Sequence, residues 1–230
     1  MAELVLLFDL DGTLYPSSFG TEREIIPSLL NEVAALLEMD AAESKDLVSR
    51  MSRLYGYSIR GLVEENLVED PAALVERIYA NIGKPKIRRN DELAEVFANL
   101  DQNYQVAILT NSSRGHAEEV LGNLGVRERV DRIFGIQDVG YTLKPERSVY
   151  LDVARALDCD PVNFVYFDDS IRNLHAAWKM GSRCVLVANG MAESPYFWEN
   201  HMSIKHLPPE HIESTFDLPE FLRQTFSKEC

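Results

Sequence analysis

Asp9 and Asp11 stand two residues apart, directly after the apolar run Val5-Leu6-Leu7-Phe8 and just before Gly12. One carboxylate so placed can attack phosphorus while its neighbour carries protons. A short apolar run bounded by a turn reads as a buried parallel strand. Both aspartates should then emerge at its carboxyl end, the edge where open α/β sheets bind ligands. Taken alone, the pair also fits a plain turn or a helix N-cap, because Asp-Gly is a common turn former.

Three later polar clusters occupy matching places. Gln105 to Leu109 runs into Thr110-Asn111-Ser112-Ser113, and Phe164 to Phe167 runs into Asp168-Asp169-Ser170. Between them, Lys144-Pro145 opens the amphipathic stretch Glu146 to Leu157. Strand, polar tip and helix thus repeat along the chain. The residue before a proline is biased away from helical geometry, so a helix should begin just beyond Pro145 and leave the lysine ammonium free to turn toward the strand ends. The Thr110 hydroxyl and the amides after it suit a phosphoryl group at a helix entrance.

In this order and spacing the four clusters resemble the motifs of the haloacid dehalogenase (HAD) superfamily of phosphohydrolases, over nearly the whole chain. The resemblance implies that Asp9 is the nucleophile, Asp11 the general acid/base, Thr110, Asn111 and Lys144 the phosphate binders, and Asp168 and Asp169 an acidic pair serving magnesium. Converging carboxylates would repel one another without a cation. Magnesium prefers oxygen donors and keeps several waters. The expected direct ligands are Asp9, Asp169 and the Asp11 backbone carbonyl, with Asp168 acting through water and Asn173 orienting the acidic loop or Lys144.

These assignments set the organisation. Residues 16–89 show helical periodicity over Glu24 to Leu37, Ala42 to Tyr55 and Pro71 to Ile82, broken at Met39-Asp40, Gly56, Gly61 and Asp70-Pro71. Alternation of strand and helix resumes near Asn90. The expected architecture is an α/β, Rossmann-like parallel sheet with helices on both faces (1–15 and 90–230) and an inserted α-helical cap (16–89). By residue type, Tyr55 reads first as cap core and Arg60 as a phosphate binder or a solvated side chain. Tyr55-Gly56, Ile59-Arg60-Gly61-Leu62 and Phe167-Asp-Asp-Ser-x-x-Asn173 resemble the pyrimidine 5′-nucleotidase branch of the superfamily. That likeness implies Tyr55 and Arg60 as substrate contacts and a nucleoside 5′-monophosphate such as UMP or CMP as substrate. A small sugar-phosphate or phosphoglycolate phosphatase is the alternative, and a catalytically degenerate binding module a further one.

The resemblance implies a small phosphorylated metabolite as partner, and composition disfavours nucleic acid and membrane. The 230 residues are 46% hydrophobic, with 37 acidic against 23 basic side chains and a net charge of −14. That field disfavours nucleic acid, and the basic stretch Lys84 to Arg89 reads as a linker or solvated face. No apolar run reaches the roughly 20 residues that span a bilayer. The apolar N-terminus is interrupted by Asp9 and lacks a basic flank, unlike a signal peptide. Cys159, Cys184 and Cys230 are odd in number and widely spaced, as in reduced cytoplasmic chains. No His/Cys cluster has zinc spacing, and His201, His206 and His211 read as surface residues.

Overall fold

Strand β1 (Val5–Phe8) is buried on both sides: Leu6 and Phe8 enter one apolar cluster, Val5 and Leu7 another. Alternating side chains can do this only in a sheet covered on both faces, the setting of parallel strands. The computed structural model describes residues 4–19, 22–84, 86–187, 210–212 and 215–226. Cys230, His201 and His206 lie outside them, as do parts of the C-terminal stretch Glu210 to Glu220.

Four helices follow β1: α1 (Glu22–Leu36), α2 (Ala41–Tyr55), α3 (Ser58–Glu64) and α4 (Pro71–Ala80). They bury a cluster that includes Leu29, Val33, Met51, Leu62 and Leu74. The breaks expected at Asp40 and Asp70 are N-caps: Asp40 accepts from Ala42 N and Glu43 N at 2.8 and 2.9 Å, and Asp70 accepts from Ala73 N at 2.9 Å. Helix α3 forms where two glycines suggested only interruption. Gly56, at φ 77°, closes α2 in the left-handed region. Gly61 does not end a helix. A Cβ there would stand 2.7 Å from Met51 Cβ, so the glycine lets α3 lie close against α2.

The remaining elements are α5 (Asp91–Asn99), β2 (Gln105–Leu109), α6 (Arg114–Leu124), β3 (Arg132–Phe134), α7 (Arg147–Ala156), β4 (Phe164–Asp168), α8 (Ile171–Trp178), β5 (Arg183–Val187), β6 (Glu210–Ile212) and α9 (Leu218–Phe226). The described strands form one parallel sheet in the order β3-β2-β1-β4-β5-β6. Helices α5, α6 and α9 cover one face, and α7 and α8 the other. This is the expected α/β architecture. The chain passes from β1 to β2 on one side and later reaches β4 on the other. The carboxyl end of β1 is therefore a topological switch point, where such sheets open a crevice. No described helix is long and apolar enough to cross a membrane.

Packing over β1 centres on aromatic rings. Phe8 lies 4.4 Å from Phe167 in a stack tilted by 15°, and 5.4 Å from Phe97 on α5. All three are fully buried. Phe97→Ala should destabilise the fold by about 3–5 kcal/mol in urea unfolding. A loss below about 1 kcal/mol would mean the α5 face can collapse around the gap and does not hold the central strand.

Candidate active site

Parallel register brings the polar tips to one edge. Phe8 pairs with Ile108 on one side and Phe167 on the other, so Asp9 stands level with Asp168 and Thr110 leaves the sheet one residue beyond them. Asp9 N donates to Phe167 O at 2.8 Å and Thr110 N to Phe134 O at 3.0 Å, fixing both tips by backbone ladder bonds.

Lys144 binds this edge together. Its Nζ donates to Asp9 Oδ1 at 2.6 Å, Leu109 O at 2.9 Å and Asp168 Oδ2 at 3.0 Å, using all three ammonium hydrogens. Lys144 is only 5% exposed and Asp168 is fully buried. The helix expected after Pro145 begins at Arg147. Asn111 Oδ1 accepts from Lys144 N at 2.9 Å and holds the lysine backbone beside β2. Asp168 also accepts from Tyr166 OH, from Ser170 N at 2.7 Å, and from Asn173 Nδ2 at 3.1 Å on both oxygens. Tyr166 precedes Asp168 by two on a strand and so shares its face, a signal available from period two alone.

Asp11 lies beyond the strand, where the chain turns through Gly12 at φ 86°. A Cβ at Gly12 would stand 2.3 Å from Asp169 Oδ2, so glycine is what lets the β1 turn and the β4 loop touch. Asp11 Oδ1 accepts from Tyr15 OH and meets His116 Nε2 at 3.1 Å. Oδ2 accepts from Ser112 Oγ at 2.7 Å and Thr110 Oγ1 at 3.3 Å. Tyr15, Ser112 and His116 were not singled out from the sequence. Tyr15 is four residues from Asp11, but no local pattern joins Asp11 to His116 across 105 positions.

Asp9, Asp11, Thr110, Asn111, Lys144, Asp169 and Asn173 all line one cleft of about 410 Å³. Its wall from the four-helix segment consists of Ile25, Tyr57 and Tyr79. Tyr55 and Arg60, expected there from the resemblance, are not among the residues lining it. Tyr55 donates to Glu65 Oε1 at 2.5 Å and packs against the helical cluster. The turn at Gly56 separates it from Tyr57. In α3 the buried positions are Ser58, Ile59, Gly61 and Leu62, which leaves Arg60 on another face. A larger recess of about 670 Å³, lined in part by Lys86, Arg88 and Phe216, contains none of the site carboxylates.

The sequence pattern of the family described as haloacid dehalogenase-like hydrolase matches residues 6–187, from β1 to β5. The chain belongs to that family. Among curated proteins it is 24% identical to Phosphate metabolism protein 8 of Saccharomyces cerevisiae, over 78% of this chain and 60% of that protein. It is 27% identical to the Validoxylamine A 7′-phosphate phosphatase of Streptomyces hygroscopicus subsp. limoneus, over 79% and 84%. Among solved structures, a HAD phosphatase from Thermococcus onnurineus superposes with a TM-score of 0.57 at 19% identity, covering 96% of this chain and 97% of the other. The L-2-haloacid dehalogenase of Xanthobacter autotrophicus gives 0.53 at 16% identity, over 97% and 99%. Both structural likenesses concern the fold.

In this hydrolase the carboxylates differ sharply in setting. Asp9, Asp168 and Asp169 offer oxygens within 4.8 Å of one another. Burial, outweighing the attraction of Lys144 and joined by repulsion from Asp168 and Asp11, pushes Asp9 up to about 7. Burial and repulsion from Asp9 and Asp168 push Asp169 up to about 8. Burial also opposes ionisation of Asp11, but hydrogen bonding and charge from His116, with the Ser112 and Tyr15 hydroxyls, hold it below the ordinary carboxylate range. Burial would discharge Lys144, yet Asp168 and Asp9 raise it well above the ordinary lysine range.

Two consequences are measurable in metal-free buffer. Asp9 and Asp169 keep protons when folded to about pH 7 and 8, against 3.8 otherwise, so the folded chain binds more protons between those limits. Stability should therefore fall as pH rises from about 4 through 8, read as the urea midpoint; a midpoint that climbs steadily to pH 8 would overturn the charge assignments. Lys144→Met leaves buried carboxylates without their counter-ion and should cost about 3–5 kcal/mol near pH 8. That loss should shrink near pH 5, where the carboxyls can take up protons, and equal losses at both pH values would assign the effect to packing.

Proposed function

We propose that the chain is a magnesium-dependent phosphomonoester hydrolase working through an aspartyl-phosphate on Asp9, with a nucleoside 5′-monophosphate as substrate. The observation that carries this reading is the convergence of Asp9, Asp169 and Lys144 in a cleft lined also by Thr110, Asn111 and Ser112, with Asp168 buried beneath them. The donor set fits magnesium. Its oxygens are hard, and burial together with carboxylate repulsion raises the affinities of Asp9 and Asp169 for protons, a cost that a divalent cation would relieve. Asp9, Asp169 and the Asp11 backbone carbonyl would hold the ion, with Asp168 in support through water. When bound, it supplies charge stabilisation to the transferring phosphoryl group.

The chain's own residues perform two displacements. An Asp9 oxygen attacks phosphorus as the phosphorus–oxygen bond to the leaving group breaks, and the departing oxygen takes a proton from Asp11. Water then gives a proton to Asp11 while its oxygen attacks phosphorus. The bond to Asp9 breaks, restoring that carboxylate and releasing phosphate. Thr13 Oγ1, donating to Asp9 Oδ2 at 3.2 Å, and Lys144 on Oδ1 orient the nucleophile. A bound phosphate dianion raises the proton affinity of Asp11 by like-charge repulsion and prepares it as an acid. The Thr110 and Ser112 hydroxyls turn from Asp11 to the phosphoryl oxygens as the cleft fills.

Residues 16–89 serve as the cap over this core of 1–15 and 90–230, and Tyr57 and Tyr79 are its aromatic wall. Two rings facing the phosphate site suit a flat base. With Tyr55 bound to Glu65, the substrate contact that the resemblance implied for Tyr55 falls to these two. The similarity to a validoxylamine phosphate phosphatase favours a second reading, a sugar-like phosphate held by the same tyrosine hydroxyls.

Activity on p-nitrophenyl phosphate should require added magnesium and vanish with EDTA; undiminished turnover after chelation would remove the metal from the mechanism. Asp9→Asn should abolish turnover, and near-native rates would disqualify Asp9 as nucleophile. Across a panel of monophosphates, UMP or CMP should give the highest kcat/KM. Tyr79→Ala should reduce that value by roughly 5-fold to 150-fold if the ring stacks on the base, from about 1–3 kcal/mol per stacked base. A sugar phosphate preferred over every nucleotide would select the second reading.

A further inference from the structure

His116 is 8% exposed and projects from the first turn of α6, whose start is fixed by Ser113 Oγ accepting from His116 N at 3.1 Å. A buried imidazole must satisfy its ring nitrogens. One of them, Nε2, is aimed at Asp11 Oδ1 at 3.1 Å, away from its own helix. Asp11 is thus gripped from two directions, by the Thr110 and Ser112 hydroxyls on Oδ2 and by His116 with Tyr15 on Oδ1. The imidazole also meets the Tyr79 ring, with centroids 5.4 Å apart and planes at 45°. Tyr79 belongs to α4 and lines the cleft from the side opposite the strand tips.

We propose that His116 is a positioning residue for Asp11, and that its contact with Tyr79 ties the orientation of Asp11 to α4, the helix on which a substrate under the cap must bear. The inference rests on the phosphatase reading above and deepens it. Two contacts join Tyr79 to Asp11 through one side chain, so a displacement of α4 reaches the proton-transfer carboxyl without passing through the sheet. His116 does not touch the nucleophile or the phosphoryl group. Its effect is confined to where Asp11 points.

That restriction supplies the test. An activated ester such as p-nitrophenyl phosphate expels its leaving group with little protonation, whereas glycerol phosphate needs a proton from Asp11. In His116→Ala, kcat/KM should fall on the order of 100-fold for glycerol phosphate and less than about tenfold for p-nitrophenyl phosphate, the size expected of a misplaced general acid. His116→Gln, which keeps a donor at comparable reach, should recover most of the loss. Water attack on the aspartyl-phosphate also uses Asp11, so His116→Ala should show a burst of p-nitrophenol as the phosphoenzyme accumulates. Tyr79→Leu should reproduce the leaving-group dependence in weaker form. Equal losses on both esters in His116→Ala and His116→Gln would reduce His116 to a structural residue and overturn the proposal. Losses in Tyr79→Leu that are equal for both esters would overturn its link to α4. If the unaltered chain fails to hydrolyse p-nitrophenyl phosphate with magnesium, the phosphatase reading itself falls and takes this proposal with it.

Discussion

A lysine ammonium buried among carboxylates is the constraint around which the site is arranged. Desolvating Lys144, Asp9 and Asp168 is expensive, and mutual attraction repays the cost only where hydrogen bonding is complete. Here it is complete for the lysine: two carboxylates and the Leu109 carbonyl take its three hydrogens. The consequences run outward. Asp168 needs Tyr166, Asn173 and Ser170 N to fill its remaining acceptor sites, and Tyr150 OH in turn fastens the Asn173 carbonyl at 3.0 Å. Asn111 is engaged in holding the lysine backbone. Residues that look like a list of phosphate binders form, in this arrangement, one neutralising scaffold, with Lys144 acting first as counter-ion.

One positive charge does not balance three neighbouring carboxylates. Asp169 receives no share of the ammonium bonds, and burial with repulsion from Asp9 and Asp168 pushes it up to about 8. Asp11 has escaped the problem by turning to hydroxyls and an imidazole. The cluster is thus divided between carboxylates that the protein has already satisfied and those it leaves under electrostatic tension, and the latter face the cleft.

Much of this could be read from the chain because strand ends are local objects. Apolar runs ending in Asp9, Thr110 and Asp168, and a lysine followed by proline before an amphipathic stretch, are set by neighbours in sequence, and parallel pairing brings the three strand ends to one edge. The sheet with helices on both faces followed from the same alternation. What could not be read depends on contacts across the chain. His116 falls on the buried side of α6 with Ala117 and Val120, and periodicity alone presents it as core. Helix α3 was hidden because Gly61 signals interruption locally, whereas its reason is a close approach to Met51. The choice between Tyr55 and Tyr57 hangs on one left-handed residue, Gly56, that rotates adjacent side chains apart.

The central place of β1 has a cost during synthesis. Its partners in the sheet begin at Gln105 and Phe164, so this wholly apolar strand is made long before either flank exists. At roughly 5–20 residues per second, β4 follows β1 off the ribosome by about 10 to 30 s. Until β2 is made both edges of Val5–Phe8 lack their native ladders, and until β4 is made one edge still does; such strands pair readily with whatever is near. The same few residues that put Asp9 at the heart of the sheet therefore make the nascent chain dependent on shielding, by its own early helices or by a chaperone, while the stretch between β1 and β4 is made.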